Sequence, residues 1–263
     1  MQTIRYRSHP LRLHAGRDAL ANLGAEAARL GARRGFVVCG QSIANKTDLL
    51  DRVRAELGDR YAGVYGGVLT SSPLASVEAG VAAARDADAD LIVAVGGGSA
   101  VVTARAVVIL LAESGTAHEL CTKYPSDGSP ISPRLMAPKI PNIVVATTPT
   151  TAMTRAGTAI VDPERQHRLE LFDPKTRPTA VIWDADAMMT APPDLAMSAA
   201  ASAFSGVATG LAVESVNPIA EGDLRQSIRL LRDNMLRLRS EPADPDVRMN
   251  LAAASFLTNR AGD

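Results

Sequence analysis

Cysteine and histidine are scarce in this chain of 263 residues, and neither sign of charge is in excess. Two cysteines, Cys39 and Cys121, cannot build a disulfide framework or a CxxC pair, which is typical of a protein from the reducing cytoplasm. The 28 basic residues are balanced by 28 acidic ones, so the composition argues against electrostatic binding to nucleic acid or to a membrane surface.

The histidine pattern does not indicate a metal site. The four histidines include no pair at the i, i+4 spacing of a helical metal motif, and none lies beyond residue 167. We therefore interpret each as a surface or loop residue; they are His9, His14, His118 and His167.

Long apolar runs are also missing. The first ten residues lack the apolar core of a signal peptide. Residues 195–213 are almost uncharged, but alanine, serine, glycine and threonine dominate them, and these are too weakly apolar for a membrane span. We predict a tightly packed core helix there.

Strand and helix patterns alternate through the first two thirds of the chain. Such alternation favours a parallel, Rossmann-like sheet with helices on both faces. Residues 124–141 read as a loop, and 161–177 as a surface excursion or hairpin. The predicted strands are 4–6, 11–14, 35–39, 62–65, 91–95, 142–147 and 180–183, and the predicted helices are 18–30, 46–57, 74–87 and 99–113.

The pattern changes after residue 193, where three helices follow one another at 195–213, 221–239 and 246–259 with no strand between them. A chain of this length accommodates one large domain or two smaller ones. We predict an α/β domain over residues 1–185 and an all-α domain over residues 186–263.

The segment 91–105, LIVAVGGGSAVVTAR, is the most informative in the chain. A buried strand runs into Gly96, Gly97 and Gly98, and Ser99 is a suitable N-cap for the helix that follows. Free N–H groups and the helix dipole attract an anion there, and glycine lets a pyrophosphate approach the backbone. The pattern predicts a dinucleotide site; the alternative is an ordinary tight turn, since the spacing is not GxGxxG.

Two further groups of residues, a threonine cluster and a Gly-Gln pair, each follow a predicted strand. Hydroxyls at the carboxyl end of a strand can contact ribose and phosphate, or can simply cap the next segment. In this chain such hydroxyls belong to Thr147, Thr148, Thr150 and Thr151. Gly40 and Gln41 end another strand, where an acidic residue would select NAD; neither is acidic, so NAD and NADP both remain open.

Several segments occur in an order that resembles the iron-containing alcohol dehydrogenase superfamily, and within it the maleylacetate reductase branch. They are GGGSAVVTARA, PTTAMTRAG, FDPKTRPTAVIWDADAMMTAPPDL and NPIAEGDLRQSIRLL. The resemblance implies a nucleotide-binding α/β domain, a helical C-terminal domain as in dehydroquinate synthase-like folds, hydride transfer between them, and a homodimer. It assigns NAD or NADP to Gly97, Gly98, Ser99, Thr150, Thr151 and Thr154, and the strand-end positions add Gly40, Gln41 and Thr147 to the predicted cofactor site.

The chain departs from the family where the family holds its metal. The aspartate and histidine ligands of the metal helix fall on Ser202 and Gly206, and two further histidine ligands have no counterpart. A hydroxyl and a missing side chain are poor divalent ligands, so we predict no metal centre of the family type. Near the glycine loop, the family's lysine falls on Arg105, and a family lysine further along aligns with Arg168.

Three functions are compatible with these residues. The first is a metal-independent NAD(P)-dependent oxidoreductase acting on a small oxo-acid or an alcohol or aldehyde, in which Arg155, Arg168 and Ser202 contact the substrate and the two arginines hold a carboxylate. The second is a degenerate, non-catalytic nucleotide-binding homologue that acts as a partner subunit or in a biosynthetic cluster. The third is a truncated chain whose missing helices complete the site.

Overall fold

The computed structural model of the protein describes residues 4, 6–7, 9–126, 128–165, 168–213 and 216–262, so His167 lies outside the described residues. The strands are β1 (Arg12–Gly16), β2 (Gly35–Gly40), β3 (Tyr61–Val68), β4 (Leu91–Gly96), β5 (Asn142–Ala146), β6 (Gly157–Ile160), β7 (Leu169–Phe172) and β8 (Ala180–Asp184). The helices are α1 (Leu23–Arg29), α2 (Gln41–Lys46), α3 (Leu49–Leu57), α4 (Leu74–Asp86), α5 (Gly98–Ala112), α6 (Ala117–Leu120), α7 (Ala185–Met189), α8 (Pro193–Leu211), α9 (Pro218–Ser240) and α10 (Pro245–Ala261).

Six parallel strands form the main sheet, in the order β1-β8-β5-β4-β2-β3, which confirms the predicted fold class. Strands β2, β4, β5 and β8 are buried almost throughout and mostly apolar because helices cover both faces. Successive β4 residues face opposite cores: Ile92 packs with α4 and α5, while Val93 packs with α1 and α3.

Three predicted elements differ from the structure. The helix predicted at 18–30 is split into a 3-10 turn, Ala19–Asn22, and α1, and it excludes Asp18, which takes a left-handed conformation (φ 57°). The helix predicted at 46–57 begins only at Leu49, since Thr47 is extended and separates α2 from α3. No strand includes Ile4 or Tyr6, the described residues of the strand predicted at 4–6.

The predicted excursion is a hairpin in which β6 pairs antiparallel with β7, four residues earlier than the sequence pattern suggests. The predicted loop 124–141 is held at its far end by Lys139, a fully buried side chain. Its Nζ lies 2.5 Å from Glu113 Oε1 at the end of α5 and 3.0 Å from Asp173 Oδ2 just after β7. Lys139 therefore fixes the hairpin and the loop against α5.

Two of the described histidines, both partly exposed, pair with carboxylates. His14 lies in β1 with Nε2 2.8 Å from Glu26 Oε1, and His118 lies in α6 with Nε2 2.7 Å from Asp162 Oδ2. Hydrogen bonding to His118 lowers the pKa of Asp162. The first pair joins β1 to α1, and the second joins α6 to the end of β6, so the two pairs do not converge on one site.

Helices replace strands from α7 onward, but the two halves share contacts. The ring of Phe256 on α10 packs edge-on against Trp183 of β8, with centroids 5.9 Å apart. Helix α8 buries Ala196, Ala200 and Ala203 and leaves Phe204 exposed. Only one face of α8 therefore lies in the core, whereas its composition predicted a helix packed in the core. The boundary at residues 185 and 186 stays a prediction. No helix of the described ranges is both long and apolar enough to cross a membrane.

We expect Gly24→Ala to destabilise the fold by about 2 kcal/mol, because its Cβ would lie 2.4 Å from the backbone oxygen of Glu56 and would force α1 away from α3. Gly222→Ala on α9 is the matched control: its Cβ meets nothing within 4 Å, so the gain in helix propensity should stabilise the protein by up to about 1 kcal/mol. Urea unfolding of both variants measures the difference, and equal stabilities would contradict the α1–α3 contact.

Candidate functional site

Three predicted groups meet at one edge of the sheet. β4 lies between β2 and β5, and its residue Val95 pairs with Cys39 of β2 on one side and with Val145 of β5 on the other. Gly40 and Gln41, the three glycines and Thr147 therefore follow the carboxyl ends of adjacent parallel strands. In open α/β sheets this edge is where ligands bind.

The loop between β4 and α5 requires glycine at its first position and leaves little room for a side chain at the next two. Gly96 has φ +145°, and a Cβ there would lie 2.8 Å from Ala100 Cβ. A Cβ at Gly97 would lie 3.0 Å from Thr148 Oγ1, and one at Gly98 would lie 3.2 Å from Thr150 Oγ1. The threonine loop thus lies directly on the glycine loop, and Thr148 contributes a contact that the predicted cofactor set omits.

Ser99 does not cap α5, which corrects its predicted role. The N-cap is Gly97, no side chain bonds the first-turn N–H groups, and Ser99 is the second residue of the helix. The Ser99 hydroxyl instead accepts a hydrogen bond from the backbone N–H of Ser71 (3.1 Å). The start of α5 therefore keeps its main-chain donors available to an anion.

The other predicted threonines divide between two surroundings. Thr147 donates its backbone N–H to Gly96 O (3.1 Å), and Thr150 Oγ1 accepts from Ala152 N (3.1 Å), so both belong to the glycine loop region. Thr154 Oγ1 accepts from Asn259 Nδ2 (3.0 Å) on α10, and the same amide donates to Thr151 O. Asn259 thereby connects the threonine loop to the helical half.

A cavity of about 860 Å³ adjoins the threonine loop and is bounded by α5, the β6–β7 hairpin and the end of α10. Its lining includes four arginines, and we call it the arginine cavity. They are Arg105, Arg155, Arg168 and Arg177.

Arg105 is the most constrained of these cations. It lies inside α5, is 2% exposed, and donates from its terminal nitrogens to Gly157 O (2.8 Å) and Ala152 O (2.7 Å). Burial, together with the positive charges of Arg155 and Arg177, lowers the pKa of its guanidinium to about 9. Arg105 therefore remains charged at neutral pH, although it is buried beside two other cations.

The structure brings together two of the three predicted substrate residues. Arg155 and Arg168 both line the arginine cavity, whereas Ser202 is exposed on α8 and bonds only to Ser198 O (3.2 Å). The prediction missed Arg105 and Arg177 as cavity residues. An arginine in an otherwise apolar helix is the signal that identifies Arg105, since a lone charge is rarely buried without a partner.

The residues that the resemblance aligns with the family's metal ligands are poor donors for a divalent cation. Ser202 offers one neutral hydroxyl, and Gly206 offers no side chain and lies on the exposed side of α8. Across the residues that the structure describes, no group of three or more histidine, cysteine, aspartate or glutamate residues could hold a metal ion. The donor set here differs from the three-ligand sites of catalytic metals.

The sequence of this chain matches a known family over most of its length. Residues 10–185 fit the profile of the iron-containing alcohol dehydrogenases. The chain belongs to that family. It is 31% identical over 248 residues to maleylacetate reductase 2 of Cupriavidus pinatubonensis (strain JMP 134 / LMG 1197), an alignment that covers 94% of this chain and 60% of the relative.

Solved structures of iron-containing alcohol dehydrogenase relatives share the fold. Maleylacetate reductase from Rhizobium sp. strain MTP-10005 superposes with a TM-score of 0.78 at 24% identity, covering 99% of this chain and 65% of that one. Sulfoacetaldehyde reductase from Bifidobacterium kashiwanohense, in complex with NAD⁺, gives a TM-score of 0.86 at 16% identity, covering 99% and 67%. This chain spans about three fifths of the length of the curated relatives it matches.

Proposed function

We propose that the protein is an NAD(P)-dependent oxidoreductase that interconverts a carbonyl and an alcohol on a small oxo-acid. One observation carries the proposal: the uncapped start of α5 lies at the carboxyl edge of a parallel sheet, over bare glycine and beneath the threonine loop. That arrangement presents several N–H donors to a pyrophosphate and leaves room for it to approach.

The cofactor residues follow from this placement. Backbone N–H groups at Gly97 and Gly98 bind the pyrophosphate, Ser99 supports the loop, and the threonine loop lies beside the riboses. Gly40 and Gln41 face the adenosine end, where no carboxylate selects against a 2′-phosphate, so NAD and NADP are both accepted. When bound, the nicotinamide supplies the hydride, and the protein orients it beside the substrate.

Arg155 and Arg168 hold the acid group of the substrate, since guanidinium groups bind carboxylates in a two-pronged geometry. Ser202 is the weaker candidate, because it lies outside the cavity that the arginines line.

The enzyme works without a metal, because the positions of the family's ligands are occupied by Ser202 and Gly206. The comparisons favour an enzyme over a degenerate nucleotide-binding homologue, since the matched relatives are named as dehydrogenases and reductases. We also expect a homodimer in the cytoplasm, with no nucleic-acid or membrane partner.

Two measurements test the proposal. The first is fluorescence titration with NADH and NADPH. The second follows the oxidation of NAD(P)H by oxo-acids in the presence of a chelator. We expect saturable binding of at least one cofactor and turnover that neither EDTA nor added iron or zinc changes. Tight stoichiometric metal, or loss of turnover with EDTA, would overturn metal independence. Binding without turnover would favour the non-catalytic homologue, and no binding at all would contradict both.

A further inference from the structure

The arginine cavity contains a buried cation whose charge is not neutralised by the protein around it. Arg105 bonds only to neutral carbonyl oxygens, and its Nε is buried without a hydrogen-bond partner. No carboxylate among the described residues forms an ion pair with Arg105, Arg155 or Arg168. A buried charge is costly unless it is paired, so this cluster is arranged for an anion supplied from outside.

The cavity lining is strongly unbalanced toward positive charge. Arg105, Arg155 and Arg168 face one carboxylate among the described lining residues, Glu170, and that carboxylate already accepts a hydrogen bond from the hydroxyl of Tyr124. A single carboxylate on a ligand would occupy one guanidinium in the two-pronged geometry. Three or more guanidinium groups around one cavity match a group with two negative charges and three outward oxygens.

Two threonine hydroxyls of the cavity favour hydroxyls on the ligand. The hydroxyl of Thr158 donates to Val102 O (2.7 Å), and that of Thr258 donates to Ala254 O (2.9 Å). Because their protons are used within the protein, these oxygens can only accept a further hydrogen bond, and Thr258 Oγ1 also lies 2.9 Å from Ser227 Oγ. A ligand hydroxyl can donate to them, whereas an anion would be repelled. The volume of about 860 Å³ is also larger than a three-carbon acid needs.

We propose that the arginine cavity binds a phosphate monoester carried on a small, hydroxylated carbon chain. The phosphate lies against Arg105, Arg155 and Arg168, and the hydroxylated part faces Thr158 and Thr258. The assignment of this compound as the substrate rests on the proposed oxidoreductase function; its binding does not, because Gly97, Gly98 and Ser99 lie outside the cavity lining.

Calorimetric titration of the cofactor-free protein compares three probes of similar size: glycerol 3-phosphate, glycerate and succinate. We expect glycerol 3-phosphate to bind at least tenfold more tightly than glycerate or succinate. Equal or tighter binding of glycerate would overturn the requirement for a dianion. Tighter binding of succinate would overturn the phosphate assignment, and no binding of any probe would overturn the site.

Single substitutions then locate the phosphate. Arg155→Gln and Arg168→Gln, both exposed positions, should each weaken glycerol 3-phosphate binding about tenfold, while Arg229→Gln on the exposed face of α9 should leave it unchanged. Arg105→Met should abolish binding, and circular dichroism shows whether that variant is folded. If it is not folded, the two exposed variants alone test whether the arginines bind the phosphate. Unchanged binding in both exposed variants would overturn the proposal.

Cofactor titration of the same samples separates the two hypotheses. If NAD(P)H binds while the phosphate probe does not, the cavity assignment fails and the oxidoreductase survives. If the phosphate probe binds while NAD(P)H does not, the cavity assignment survives and the proposed function fails.

Discussion

The variant Gly97→Asp should bind NADH and NADPH at least about 100-fold more weakly than the unmodified protein, and should still fold. Aspartate is a favoured N-cap residue, and Gly97 has an extended backbone (φ −88°) that any residue adopts. Its carboxylate would take the first-turn N–H groups of α5 and repel the pyrophosphate from them. The new Cβ would lie 3.0 Å from Thr148 Oγ1, a side-chain atom that can shift slightly.

Gly97→Asn is the matched control, because it has the same size and capping ability without the charge. Fluorescence titration should show a clearly smaller loss of affinity for asparagine than for aspartate, and urea unfolding should place both within about 1 kcal/mol of the parent. If both variants bind the cofactor as tightly as the parent, the start of α5 is not the phosphate site.

Replacing Lys139 with methionine should lower the free energy of unfolding by about 3–5 kcal/mol, as expected when one partner of a buried ion pair is removed. The substitution keeps the apolar volume of the side chain, but it leaves the buried Asp173 and the partly buried Glu113 carboxylates without their shared cation. Lys175→Met is the control, because Lys175 contacts the same Asp173 carboxylate (3.1 Å) from a half-exposed position and should cost about 1 kcal/mol or less.

The effect of Lys139→Met should depend on pH. Burial raises the pKa of Asp173, but hydrogen bonds from Lys175 and Lys139 outweigh it and leave the pKa below its ordinary value of 3.8. A lowered carboxyl pKa stabilises the fold above that ordinary value, and the contribution is lost as the pH falls through the folded pKa. The difference between parent and variant should therefore be largest near pH 7 and shrink below pH 4. A difference that is constant between pH 3 and pH 7 would contradict the ion pair.

The parallel sheet and the glycine loop were predictable from the sequence because both depend on local features. Continuous apolar runs such as residues 91–95 require two covered faces, and three successive glycines after such a run require a close approach to the backbone. The cap of α5 was not predictable in the same way. Ser99 has the right chemistry for an N-cap, but the loop before α4 takes its hydroxyl, and that contact joins residues 28 positions apart.

The arginine cavity could not be predicted from the sequence for a related reason. Arg105, Arg155, Arg168 and Arg177 come from a helix, two loops and a hairpin edge, and no spacing along the chain records that they meet. Resemblance to the family marked Arg105 and Arg168 as positions where the family has lysine, but only the folded chain shows that all four arginines line one cavity.

Helix α10 is attached to both ligand regions by side chains one turn apart. Ser255 Oγ donates to Pro149 O (2.6 Å) in the threonine loop, and Asn259 accepts from Arg155 Nε (3.3 Å) at the cavity while donating to Thr154. Any ligand that repositions this helix acts on both regions together. Thermodynamic linkage then requires that the dinucleotide and the anion alter each other's dissociation constants by one and the same factor, whichever binds first.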